Sequence, residues 1–395
     1  MSALTDRLST RLVGVDVARC LALLGMMATH VLDPVDATGE LTRIQAVAGG
    51  RSAALFAVLA GVSLALMTGR QDPVRGRVLA SRSLGLAARA VLIAALGLVL
   101  GSLGTNIAII LTYYGVLFLI AIPFLGLRAR WLWLLGVVWA VLGPLLAQVV
   151  RPMLPPRQFD SPEPSHLIEP GHLLAELLFT GYYPAVPWLA YLLIGMAIGR
   201  IDLRNRLVVS MLWSGGVIIS VSATWLSGRL TRLPSVAEVL LREYPGMDID
   251  DALTSMSHGL YGQTPADGWQ WLLVVAPHSS TPFDLAQTIG SSMFAIGACQ
   301  MIALRLPSRW RTGMAVLFGA GTMTLTLYTL HVVMRTDAVW PQETPDTYVL
   351  HVLVVLAIGA AVTAWGRPGP LEWVVGRPAA WLRRTEPRPE RTPSG

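Results

Sequence analysis

The sequence predicts an all-α, polytopic integral membrane bundle of about ten transmembrane helices with both termini in the cytoplasm. Three observations lead there. Of 395 residues, 53% are hydrophobic and 14% charged, and the mean hydropathy is +0.56. A soluble domain carries roughly 25% charged residues, so this chain has too little charge to coat a water-facing surface, and its apolar content excludes disorder. The apolar residues gather in runs close to the roughly 20 residues that a helix needs to cross a bilayer. All 30 basic residues are arginine, and they fall unevenly on the two sides of those runs. The net charge of +6 is therefore an orientation signal and an anionic-lipid signal, with no call on nucleic acid.

The runs are 13–32, 52–69, 83–101, 106–125, 131–150, 181–199, 207–226, 283–304, 313–334 and 347–366. The first carries Asp16 and Arg19 and lacks a small-residue cleavage site, so it reads as a retained helix and not a signal peptide. Even-numbered runs are followed by Arg70, Arg75, Arg77 and Arg82, by Arg128 and Arg130, by Arg200, Arg204 and Arg206, by Arg305, Arg309 and Arg311, and by the basic tail. Twenty arginines then lie on the side of the termini and eight on the other, with Arg19 and Arg89 inside spans. Arg89 has no partner that the sequence identifies. Residues 172–180 or part of 235–275 could add a short or re-entrant helix.

Residues 1–382 read as one transmembrane domain and 383–395 as a disordered cytoplasmic tail, with no internal repeat. Two outer loops are long: 151–180, rich in proline, and 227–282, rich in acidic residues. Loops of that length are usually functional or flexible, and they could cap a site that opens outward. Cys20 and Cys299 sit in apolar runs and read as buried thiols.

Arg19 and His30 are the informative pair of the first run. Eleven positions apart, they share one face of a helix and stand roughly 16 Å apart along it. An arginine within a span faces a cavity or a partner, and Asp16 is within reach as that partner. Two readings stay open for Arg19, a pair that merely fixes the helix and a functional cation. His30 reads either as an interfacial histidine or as a general base, with Asp33 placed to hold its tautomer. All seven histidines fall on the outer loops or the outer halves of spans. No HExxH or Cys/His ligand spacing occurs, so no metal is expected, and GxSxG, Walker and strand-to-helix GxGxxG motifs are absent.

The Arg19–x10–His30 pair, followed by Gly49-Gly50-Arg51 through Phe56 to Gly61 and Ser63, resembles the transmembrane acyltransferase superfamily. That group includes the bacterial acyltransferase-3 and heparan-alpha-glucosaminide N-acetyltransferase-like proteins. Leu111-Thr-Tyr113-Tyr114-Gly115, Gly181-Tyr182-Tyr183-Pro184 with Pro187-Trp188, Pro277-His278-Ser279-Ser280-Thr281, and Met323 through Tyr328 to His331 extend the likeness over roughly residues 11–366. The resemblance implies transfer of an acyl group, usually acetyl, from cytosolic acyl-CoA to an acceptor across a cell inner membrane. His30 matches the family's essential histidine and Arg19 its paired basic residue. Because the first outer loop departs from the animal lysosomal enzyme, the acceptor class expected is a bacterial glycan, glycolipid or other hydroxyl or amine.

On this reading Arg70, Arg75, Arg77 and Arg82 form a basic mouth for the CoA phosphates, and the pantetheine arm passes Arg19 and Tyr114. His30, oriented by Asp33 or a loop carboxylate, is general base or acyl carrier. Tyr114, Ser279, Thr281 and Tyr328 are candidate donors to the developing oxyanion, or else packing contacts between helices. Arg51, Tyr182, Trp188, His278 and His331 complete the acceptor side, with the aromatics also readable as an interfacial belt. Membrane lipids are expected partners, and a homodimer is left open. The competing class is a small-molecule or lipid transporter using Arg19 and the outer histidines as a proton path, which would carry inverted repeats.

Overall fold

A computed structural model of the chain describes residues 11–384 apart from 159–160, 263, 341–343 and 346. Among the described residues the architecture is helical, with one isolated bridge between Val35 and Leu41 and no strand. The longer helices, in chain order, are α1 (Val13–Val31), α2 (Arg51–Met67), α3 (Gly76–Gly101), α4 (Leu111–Ala121), α5 (Ala129–Val150), α6 (Ala185–Arg200), α7 (Arg206–Thr231), α8 (Pro282–Arg305), α9 (Thr324–Met334), α10 (Thr347–Ala364) and α11 (Pro370–Arg384).

Among the described residues, seven helical segments are long and apolar enough to cross a membrane. An eighth results if Pro170–Thr180 and α6, bent by 53° at the intervening break, form one span. The chain is thus a multi-pass membrane protein with seven or eight full-length spans among the described residues, fewer than the ten expected. The expected runs 106–125 and 313–334 form only the short apolar helices α4 and α9. Each shortening has a local cause. Before α4, Ser161 accepts from the Ile109 amide at 2.9 Å and donates to the Ile107 carbonyl at 2.6 Å. These bonds satisfy backbone groups that a helix would otherwise satisfy for itself. Before α9, the turn Gly319–Thr322 packs Gly321 directly on the α1 backbone at Asp16. Any side chain at Gly321 would enter that carbonyl.

The sequence periodicity explains which helices sit inside. α6 is buried from Ala185 to Arg200 at every residue except the half-buried Val186, as expected of a helix that is apolar all round. It meets α2 through Gly61 and Gly195, whose missing side chains let the two backbones touch. α5 and α7 instead expose apolar faces, including Val137, Val141 and Val149 on one and Met211, Ile218 and Trp225 on the other. Those faces suit lipid chains.

Arg200 ends α6 and is 3% exposed. It donates to the carbonyls of Ala65, Thr68, Arg70 and Leu125 and to the Thr68 hydroxyl. One guanidinium thereby closes the C-terminal ends of α2 and of the 3₁₀ turn after α4.

The loop 227–282 has a core of its own, built on Val236, Leu240, Ala252, Met256, Trp271 and Val274. Asp248 caps its helix Ile249–Met256, and Arg232 pairs with Asp250 at 2.6 Å. Cys20 and Cys299 are buried free thiols. α11 is amphipathic, with Trp373 and Trp381 exposed. Its Glu372 accepts from the Leu325 and Thr326 amides and from the Thr326 hydroxyl, capping α9. Arg383 and Arg384, expected in a disordered tail, end α11, and residues 385–395 lie outside the described ones.

Candidate functional site

The two marked residues of α1 face two different cavities. Toward its first half, Arg19 donates to Asp16 at 2.7 Å and to Ser63 at 3.0 Å. It lines an inner cavity of about 100 Å³ with Arg89, Tyr114, Phe118 and Tyr328. An adjoining cavity of about 80 Å³ shares Leu64, Met67, Leu86 and Arg89 with it and adds Arg82, Gly376 and Ala379. Arg89, unreadable in the sequence, therefore stands where these two spaces join.

Toward the other end of α1, His30 lines an outer cavity of about 150 Å³ with Tyr182, Tyr183, Tyr261 and His278. Tyr328 lines the inner and the outer cavity alike. Three spaces thus follow one another from Arg82 to His30, the first two sharing Arg89 and the last two sharing Tyr328.

His30 is not held by Asp33. Asp33 is exposed at the end of α1, and its carbonyl takes a bond from Thr42. The orienting group is another histidine. His30 Nδ1 lies 3.2 Å from His331 Nε2, with the rings stacked at 5.4 Å. His331 Nδ1 lies 2.9 Å from His351 Nδ1. Both contacts require one donor and one acceptor, so the protons of the three neutral rings can order in only two ways. In one order His30 accepts at Nδ1 and carries its proton on Nε2. In the other it donates from Nδ1, and Nε2 presents a lone pair to the cavity. The second order makes His30 a base or a nucleophile. His331 and His351 are fully buried, and His331, expected on the acceptor side, stands behind His30 and does not line the cavity.

The acceptor-side candidates divide. Tyr182 and His278 line the outer cavity, joined by Tyr183 and Tyr261, which the site reading had not included. Trp188 is buried behind His278, its ring parallel at 6.4 Å and its indole N–H donating to Ser280. These aromatics enclose His278 and do not form an interfacial belt. Thr281 is the N-cap of α8, accepting from Asp284 N at 3.1 Å and donating to the Val274 carbonyl. Ser279 contacts Thr281, so both hydroxyls lie away from the outer cavity. Arg51 is also outside it, bonded to the Ala46 carbonyl and facing the Gln287 side-chain oxygen at 2.8 Å when that amide is turned to accept. Of the expected basic mouth, Arg82 lines the inner space, Arg70 lines a separate groove with Arg204, and Arg75 and Arg77 are exposed.

His278 and Ser280 both hold left-handed backbone, at φ 59° and 55°. Non-glycine residues rarely do so, and such strain collects at functional sites. Burial pushes the His278 imidazole down from 6.5 to about 4, so it is neutral at pH 7. The unfolded chain takes up a proton there below about pH 6.5, and the folded chain does so only near 4. Its contribution to stability is therefore full above pH 6.5 and is lost as pH falls toward 4. His278→Asn, which tolerates the same backbone but cannot titrate, is expected to flatten that slope. Unfolding midpoints of both proteins at pH 7 and pH 5 test this, and equal losses in both would sink it.

Among the described residues no three His, Cys, Asp or Glu side chains gather as metal ligands. No curated protein matches the chain. The profile of the family described as heparan-alpha-glucosaminide N-acetyltransferase, catalytic, matches residues 11–229, which carry Arg19, His30, Tyr114 and Tyr182. With more than half of its length matched, the chain belongs to the heparan-alpha-glucosaminide N-acetyltransferase catalytic family.

Proposed function

We propose that the protein transfers an acyl group, acetyl in the first instance, from cytosolic acyl-CoA to a hydroxyl or amine of a glycan or glycolipid on the far side of the inner membrane. The observation that carries this is the series of cavities, arginine-lined at one end and histidine-lined at the other, with Tyr328 common to both. Acyl-CoA is dianionic or more at its phosphates and thin along its pantetheine arm. The phosphates would rest near Arg75, Arg77 and Arg82, and the arm would run past Arg89 and Arg19. The thioester would then lie near Tyr328 and within reach of an acceptor in the outer cavity. His30 Nε2 takes the proton of the attacking hydroxyl or amine as its oxygen or nitrogen bonds to the carbonyl carbon. The C–S bond then breaks, and the CoA thiolate recovers that proton. Alternatively Nε2 itself accepts the acyl group and passes it on. Tyr182 and Tyr261, beside His278, offer aromatic faces for the apolar side of a sugar.

The test is sided. Protein is reconstituted in liposomes in one orientation, with labelled acetyl-CoA supplied first to the Arg82 face and then to the His30 face. CoA release and acceptor labelling are expected only when the donor meets the Arg82 face and the acceptor the His30 face. Equal rates from both faces would reject the arrangement, and passage of an intact solute without CoA release would mark a transporter. Label retained on the protein when acceptor is withheld distinguishes the acyl-histidine route from direct transfer.

A further inference from the structure

We infer that the phenols of Tyr114 and Tyr328 form the donor pair that holds the thioester carbonyl oxygen at the junction of the inner and outer cavities. The inference rests on the acyl-transfer reading and goes beyond it by assigning the electrophile's site. Both rings are 2% exposed, and both hydroxyls lack a hydrogen-bond partner. Buried phenols normally find a partner, so two orphans lining one cavity mark a place where a ligand supplies the acceptor. The Ile110 amide lies against the Tyr328 oxygen without a hydrogen bond of proper geometry, so the phenolic proton remains to be donated.

Both rings are fixed. Tyr114 lies between Phe56 and Phe118, with centroids 5.8 and 5.9 Å away. Tyr328 stands on α9, whose first turn is tied down by Glu372. Donors on packed helices meet the need for a preorganised site better than donors on loops. The other hydroxyl candidates are engaged: Thr281 caps α8, and Ser279 lies against it.

The step balances within the proposed reaction. As the nucleophile bonds to the carbonyl carbon, the C=O π pair moves onto oxygen, and the two O–H groups donate hydrogen bonds to that oxyanion without giving up their protons. When the carbonyl reforms, the C–S pair leaves on sulfur and the thiolate takes the proton held at His30. Acceptance of that negative charge is the whole role of the pair, so its effect falls on kcat more than on donor affinity.

Tyr328→Phe, Tyr114→Phe and the double variant are compared with the full chain in liposomes. Each single change is expected to lower kcat by about 10²–10³-fold, with KM for acetyl-CoA little altered. Thermal midpoints should stay equal or rise, since an unpartnered buried hydroxyl has been removed. The second measurement uses His30→Ala protein loaded with acetyl-CoA labelled with ¹³C at the thioester carbonyl. Its infrared stretch should lie below the value in water-free solvent and should return toward it when either tyrosine becomes phenylalanine. Wild-type kcat in the double variant, or a carbonyl stretch indifferent to both tyrosines, overturns the inference while leaving the acyl-transfer reading intact. Failure of the His30→Ala protein to bind acetyl-CoA at all overturns both.

Discussion

Replacing His30 with alanine is expected to lower acyl transfer by about 10²–10⁴-fold, the usual contribution of a positioned general base. Donor binding should change little, because on the proposed reading the phosphates would be held some distance away, at the arginine-lined end. The expectation is specific to this histidine. Its Nδ1 is engaged by His331, which leaves Nε2 for a ligand, and it lines the outer cavity together with the tyrosines. His331→Phe should cost less, because it removes the group that fixes the tautomer and not the reacting nitrogen. His351→Phe, one ring further back, should cost least. Initial rates of label transfer in liposomes give the comparison. Full turnover in His30→Ala, or an inverted order among the three, would mean that the chain of rings serves packing alone.

Arg200→Leu is expected to cost stability on a similar scale, about 3–5 kcal/mol, by stranding several buried acceptors at once. The Ala65, Thr68 and Arg70 carbonyls close α2, and the Leu125 carbonyl closes the turn after α4. Ala65, Thr68 and Leu125 are buried with Arg200, so water is not at hand to replace the lost donor at those three carbonyls. Arg200→Lys should recover only part, since one ammonium cannot reach from Thr68 to Leu125 as a forked guanidinium does. Thermal unfolding in detergent is the readout, and an unchanged midpoint for the leucine variant would refute the role.

Arg200 also shows where sequence reasoning stops. By position it is one of three arginines after an apolar run, and it counts toward the side of the termini like Arg204 and Arg206. Nothing local separates the one whose partners lie more than a hundred residues earlier on α2. The full-length spans were legible, because length and hydropathy are properties of contiguous residues, but their number was not. So was the Arg19–His30 face, which depends only on helix pitch. The short α4 and the turn before α9 depended on Ser161 and on the contact of Gly321 with α1, both remote in sequence. Asp33 was the natural partner for His30 on helical spacing alone. His331, three hundred positions later, took that place, and a neighbour at such a distance leaves no periodic trace. The one available signal was compositional: the arginine distribution led to the expectation that every histidine lies on one side. Tyr328, His331 and His351 also lie beyond the matched residues 11–229, so the family likeness covers only part of the proposed site and the fold brings in the rest.

The partition at Tyr328 has an electrical side. On the proposed path, the Tyr328 ring, common to the walls of both cavities, is where a barrier between the two sides would have to stand. A bilayer that sustains a proton gradient cannot tolerate a continuous file of water through it. On that reading the ring would insulate while its hydroxyl donates a hydrogen bond, and the two duties rest on different atoms of one side chain. Phenylalanine at this position keeps the seal and loses the chemistry, whereas a small residue would give up both.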